Sequence, residues 1–127
     1  MKIGIIGLGF VGLSLTSVLA SKGYDVIGID VDNEKCNKII NGISPFFEPE
    51  LEKTLQNGLK KKLKIENNFS LINTCDFIFV TVGTPQKSNG SIDLSKIKKA
   101  ISTIAENLLK NDRKPIIIIK STVISGT

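Results

Sequence analysis

Six residues near the start of the chain, Gly7-Leu8-Gly9-Phe10-Val11-Gly12, set three glycines at G-x-G-x-x-G spacing, and Asp30 follows eighteen residues after the last. Residues of these types at this spacing can hold a dinucleotide. Glycine at position 7 permits a tight turn out of a strand. Glycine at position 9 leaves the backbone bare for a pyrophosphate, and glycine at position 12 lets the next helix pack close to the sheet. Amides at the helix start, around Phe10 and Val11, would point at the phosphates with the positive end of the helix dipole behind them. The Asp30 carboxylate would accept hydrogen bonds from the adenosine ribose. Its charge opposes a 2′-phosphate, which points to NAD rather than NADP. Lys35, one helical turn on, could also reach the ribose and keeps NADP open.

Two later loops could complete such a site. Val82-Gly83-Thr84-Pro85 follows one apolar run and Ser121-Thr122 follows another. In an open α/β sheet the ligand lies outside the carboxyl ends of the strands. Val82, Gly83, Thr84, Ser121 and Thr122 are therefore candidates for the nicotinamide half, where a hydroxyl could hold the ribose or carboxamide. Thr84 and Thr122 could equally be turn or capping residues. The chain has no histidine, which excludes a His-ligated metal or a His base within it, and no metal site is expected. Cys36 and Cys75 read as free, buried thiols.

Positioning these groups requires strands that alternate with helices. The apolar pattern predicts strands over residues 2–6, 25–30, 62–66, 76–82 and 115–120. Helices are expected over 10–22, 33–41, 50–61 and 94–110, with a short one over 70–74. Val11, Leu15, Val18 and Leu19 would form the buried face of the first helix, which Gly23 closes. Asp32 would cap the second helix and Gly42 would end it. Strands that are apolar throughout predict a parallel sheet covered on both faces. The expected class is a doubly wound, three-layer α/β domain of Rossmann type over residues 1–127.

Charge and hydropathy remove other classes. The net charge is +5, but the runs Lys60-Lys61-Lys62 and Lys98-Lys99 fall on helix surfaces, and aromatics are only 6%. A nucleic-acid partner is not expected. No apolar stretch reaches the roughly 18 to 20 residues of a membrane helix, and the opening residues lack a cleavage site, so the expected location is cytoplasmic.

Taken in order, GLGFVG, GIDVDNEK, SPFFEPEL, VGTPQKSNGSIDL and KSTVISGT resemble the N-terminal NAD-binding domain of the UDP-glucose/GDP-mannose dehydrogenase family. The resemblance runs the length of the chain. The glycine loop is common to many dehydrogenases; EP-x-L, VGTP and STV-x-x-GT are more specific. The resemblance implies oxidation of the C6 hydroxyl of a nucleotide sugar to a carboxylate by two NAD, through an enzyme-bound aldehyde and thioester. By position it assigns Phe10, Val11, Asp30, Lys35, Thr84 and Thr122 to NAD, with Thr122 also supporting the reacting centre. It implies a downstream cysteine nucleophile, a substrate domain and a dimerising central helix outside these 127 residues, so the chain reads as a truncated cofactor-binding half. UDP-glucose is the default substrate, with GDP-mannose and N-acetylated UDP-hexosamines open. Two departures stand out. Ile124 and Ser125 occupy positions where the family commonly has a proline. Glu50 replaces the glycine of EPGL, which should let a helix start at lower backbone entropy cost. Nucleotide-sensing domains of potassium transport systems and β-hydroxyacid dehydrogenases share the glycine loop and are the alternatives.

Overall fold

Alternation along Lys2–Ile6 (β1) sends Ile3 and Ile5 to one side of a sheet and Ile6 to the other, and all three are buried. The computed structural model describes all of residues 1–127. Around β1 it arranges Asp25–Ile29 (β2), Leu63–Glu66 (β3), Phe77–Val80 (β4) and Ile116–Ile119 (β5), each parallel to its neighbours, in the order β3-β2-β1-β4-β5. The chain leaves β1 toward β2 on one side and returns to β4 on the other, so a topological switch point opens between β1 and β4.

Helices cover both faces. Phe10–Ser21 (α1), Asn33–Ile40 (α2) and Leu51–Leu59 (α3) enclose one core, in which Ile3, Ile5, Val26, Leu13, Ile39 and Leu55 meet. Ser95–Leu108 (α4) and a 3-10 turn at Ile72–Thr74 enclose the other, with Ile6, Ile27, Ile29, Ile78, Val80 and Ile104. The three-layer expectation holds. Asp32 caps α2 by accepting from the Lys35 amide. The end of α1 is closed by Gly23 and Tyr24, whose amides donate to the Ala20 and Leu19 carbonyls, the pairing of a Schellman motif.

Three expectations need correction. The buried side of α1 is Gly12, Leu13, Thr16, Ser17 and Ala20, while Val11 and Val18 are exposed and Leu15 and Leu19 half-buried. Small residues won this face because α1 lies unusually close to β1 and packs along α3. A Cβ added at Gly58 of α3 would stand 2.9 Å from the Ala20 Cβ. The last strand is also not covered on both faces. It forms the sheet edge, with Ile116 58% and Ile119 41% exposed. Four consecutive isoleucines look alike whether or not a layer lies over them.

The third correction concerns Glu50. It does precede α3, but at φ +65°, the one non-glycine residue in the left-handed region. There an L side chain meets its own backbone, so the glycine-to-glutamate change strains the turn rather than easing it. The left-handed cost is about 1–2 kcal/mol, and glycine loses about 0.5–1 kcal/mol more chain entropy on folding. Glu50→Gly should therefore stabilise the fold by a net of about 0.5–1 kcal/mol in urea denaturation; a lower midpoint would contradict this.

Asp76, just before β4, ties together the amino ends of the strands, opposite the end where the glycine loop lies. It accepts from the Lys2 amide at 2.7 Å and from Arg113 at 3.0 Å, and lies 4.0 Å from the N-terminal amine. The Lys2 amide bond first, then the Arg113 and N-terminal charges, hold its pKa below the ordinary value. A carboxylate depressed in this way stabilises the fold above its unfolded pKa and loses that contribution as pH falls through the folded one. The difference in melting temperature between the wild type and Asp76→Asn should be full at neutral pH and shrink as pH drops below about 4. A difference that grows on acidification would refute the assignment.

Candidate functional site

The turn out of β1 shapes the site. Gly7 adopts φ +93°, a conformation open to glycine at little cost. Its amide donates to the Ile29 carbonyl at 2.8 Å, which ties the turn to β2. Gly12 then returns onto the same turn. A Cβ at Gly12 would stand 1.8 Å from the Gly7 oxygen and 2.5 Å from Thr81 Oγ1. No side chain fits there.

The other face of the loop is bare. A Cβ added at Gly9 meets nothing within 4 Å, and the same holds at Gly83 on the neighbouring loop. Gly9 caps α1 through its carbonyl, which accepts from the Leu13 amide at 2.8 Å. The amides of Gly9, Val11 and Gly12 donate to no protein acceptor. They are the free donors of a helix N-terminus, at the positive end of the helix dipole. Open backbone and free donors fit the pyrophosphate of a dinucleotide.

Asp30 lies just past the end of β2, with a side chain only 8% exposed. Its Oδ2 accepts from the Leu8 amide at 2.7 Å and from Lys35 Nζ at 3.0 Å, and its Oδ1 accepts from the Asp32 amide at 3.0 Å. The acid is thus a latch between β2 and the glycine loop. Oδ1, with one protein donor, keeps the greater capacity to accept a ribose hydroxyl. Lys35 sits beside it as a donor.

A cavity of about 500 Å³ joins these parts at the switch point. Gly7, Gly9, Asp30, Lys35, Val82 and Gly83, all expected from sequence, line it. Phe10, Val11, Gly12, Thr84, Ser121 and Thr122 do not. Gly12 lies buried beneath the loop, and the Phe10 ring stands edge-on to Phe46 at 6.4 Å. The Ser121 hydroxyl donates to the Val82 carbonyl at 2.6 Å, which binds the end of β5 to the loop after β4. Thr122 is exposed beyond it. Sequence reasoning missed Thr81, Phe69 and the α4 residues Lys96, Lys99 and Thr103, which also line the cavity. Lys96, Lys99 and Thr103 lie three or four apart on α4, so helical spacing marked a common face without marking what it faced.

Both cysteines are free and buried. Burial is the main cause that raises the Cys75 pKa to about 11 and the Cys36 pKa above its ordinary value. Cys36 Sγ donates to the Asp30 carbonyl at 3.3 Å. Neither is a thiolate poised for attack. No helix is long and apolar enough to cross a membrane.

Residues 1–127 match the model of the UDP-glucose/GDP-mannose dehydrogenase family, NAD binding domain. The chain is 39% identical over 129 residues to GDP-mannose 6-dehydrogenase of Pseudomonas syringae pv. tomato, covering all of this chain and 30% of that protein. It is 37% identical over 128 residues to UDP-N-acetyl-D-mannosamine dehydrogenase of Pyrococcus horikoshii, again covering all of the chain and 30% of the relative. Among solved structures, a ternary complex of GDP-mannose dehydrogenase from Pseudomonas aeruginosa superposes with a TM-score of 0.96 at 36% identity, over 99% of this chain and 29% of that one. The chain therefore spans about 30% of the length of these relatives. The fold, the glycine loop with its strand-ending acid and the full-length match lead to one conclusion: the chain belongs to the UDP-glucose/GDP-mannose dehydrogenase family, as its NAD-binding domain.

Proposed function

We propose that the chain is the cofactor-holding part of a nucleotide-sugar 6-dehydrogenase, and that Asp30, Lys35 and the glycine loop are its NAD contacts. The observation that carries this reading is the cavity between β1 and β4. It brings the bare Gly9 backbone together with the Asp30–Lys35 pair. Gly7, Gly9 and the amides around Phe10, Val11 and Gly12 take the pyrophosphate. Asp30 and Lys35 take the adenosine ribose. Val82, Gly83, Thr84, Ser121 and Thr122 border the nicotinamide end, with Ser121 holding the Val82 loop in place and Thr122 presenting an uncommitted hydroxyl toward the reacting centre. NAD, when bound, supplies a hydride acceptor; the chain's own part is to bind it, orient it and discriminate it from NADP.

The full protein oxidises the C6 hydroxyl of a UDP- or GDP-sugar in the cytoplasm, in this reading, as a homodimer joined beyond these residues. UDP-glucose, GDP-mannose and N-acetylated UDP-hexosamines are its candidate substrates. In this reading the nucleophilic thiol lies outside this chain, a view supported by the burial and raised pKa values of Cys36 and Cys75. The 127 residues bind cofactor without turning over a nucleotide sugar.

Calorimetric titration tests the reading. NAD should bind at least about tenfold more tightly than NADP, a difference of about 1.4 kcal/mol. Equal affinities, or no binding of either, would overturn the role given to Asp30. Glycine substitutions separate site from scaffold. Gly9→Ala, placed in open space, should leave the melting temperature within a few degrees yet weaken NAD severely. Gly12→Ala, driven into backbone, should cost more than about 3 kcal/mol of stability. The opposite ranking of the two melting temperatures would refute this geometry.

A further inference from the structure

Thr81 follows β4 directly, is buried, and does no work in any motif. Its hydroxyl lies 2.7 Å from the Gly7 carbonyl and 3.0 Å from the Ile6 carbonyl. A hydroxyl has one proton to donate. The Ile6 carbonyl already accepts from the Thr81 amide at 2.8 Å, so the Oγ1 proton belongs to Gly7, the shorter contact. The Gly7 carbonyl has no other protein donor.

The peptide unit that carries this carbonyl also carries the Leu8 N–H. In a trans peptide the two point in opposite directions. The Leu8 amide donates to Asp30 Oδ2 at 2.7 Å. One peptide plane in the turn is therefore held at both ends, by Thr81 from β4 and by Asp30 from the end of β2. Gly7, at φ +93°, is the residue about which that plane would otherwise swing. Rotation would turn the carbonyl out of its pocket and withdraw the Leu8 amide from Asp30. The same plane sets where the next residues, with their free amides, begin.

We infer that Thr81 is a positioning residue for the cofactor: its hydroxyl holds the Gly7–Leu8 peptide so that the glycine loop and Asp30 meet the ligand in one fixed arrangement. The inference rests on the cofactor reading above. Although Thr81 borders the cavity, its hydroxyl proton is committed to the Gly7 carbonyl and acts through the loop it holds; serine supplies the same proton as threonine, whereas valine has the shape without the proton.

Calorimetry with NAD and with ADP-ribose, alongside hydrogen exchange of the Leu8 amide in ligand-free protein, tests it. Thr81→Val should bind both ligands at least fivefold more weakly, and its Leu8 amide should exchange faster than in the wild type. Thr81→Ser should restore both measurements to within twofold, a rescue that a purely packing role would not require. Unchanged affinity and unchanged Leu8 exchange in Thr81→Val would overturn the proposal, as would a serine variant no better than valine. Where valine does not fold, Thr81→Ala removes the same proton, and wild-type binding by that variant would also overturn it. Failure of the wild type to bind either ligand would instead overturn the cofactor reading, and the Leu8 exchange would still decide the role of Thr81.

Discussion

The approach of Gly12 to the Gly7 carbonyl is the constraint on which the carboxyl end of the sheet depends. Two backbone segments come so close that no Cβ could stand between them. That contact brings the start of α1 down onto the end of β1 and leaves the helix amides facing outward. Protein interiors are packed near the density of organic crystals, so a contact this tight propagates. It dictates the small residues Thr16, Ser17 and Ala20 along the rest of the buried face, and the glycine of α3 that receives them. The Ser17 hydroxyl, buried without a hydrogen-bond partner, marks where close approach took precedence over polar satisfaction.

From this contact the polar groups around the site fall into a sequence of ties. Asp30 joins β2 to the loop through the Leu8 amide, Thr81 joins β4 to the same loop, and Ser121 joins β5 to the loop after β4. Each tie runs from one strand end to the next, across the order in which the strands pair. A single carboxylate with three donors can fix the scaffold and still present an oxygen to a ligand. Placing Lys35 beside it keeps a buried negative charge paired. The cavity lining and its support therefore share atoms.

Much of this was legible in residue types and spacing. The strand and helix order, the cap at Asp32, the turn at Gly23 and the grouping of Gly7, Gly9, Asp30 and Lys35 follow from periodicity and glycine placement. What was not legible has common physical causes. Val11 and Val18 are apolar at the spacing of a buried face, but distance to the neighbouring backbone selected the smaller residues. Four isoleucines in β5 look like a core strand, and only their position at the edge of the sheet exposes them. Thr81 lies in an apolar run where nothing local distinguishes a hydroxyl that holds a loop from one that merely fits.

The sequence by itself determined which segments become strands and helices and which residues, Gly7, Gly9, Asp30 and Lys35 among them, gather at one cavity, because these depend on local backbone preference and on spacing along the chain. The tertiary structure alone decided which face of α1 is buried, that Glu50 occupies a left-handed turn, that β5 is an edge, and that Thr81 and Asp30 hold one peptide from opposite ends. These depend on atoms far apart in the chain, 74 residues in the case of Thr81 and Gly7. Contacts of that kind exist only once the sheet has assembled in its own order.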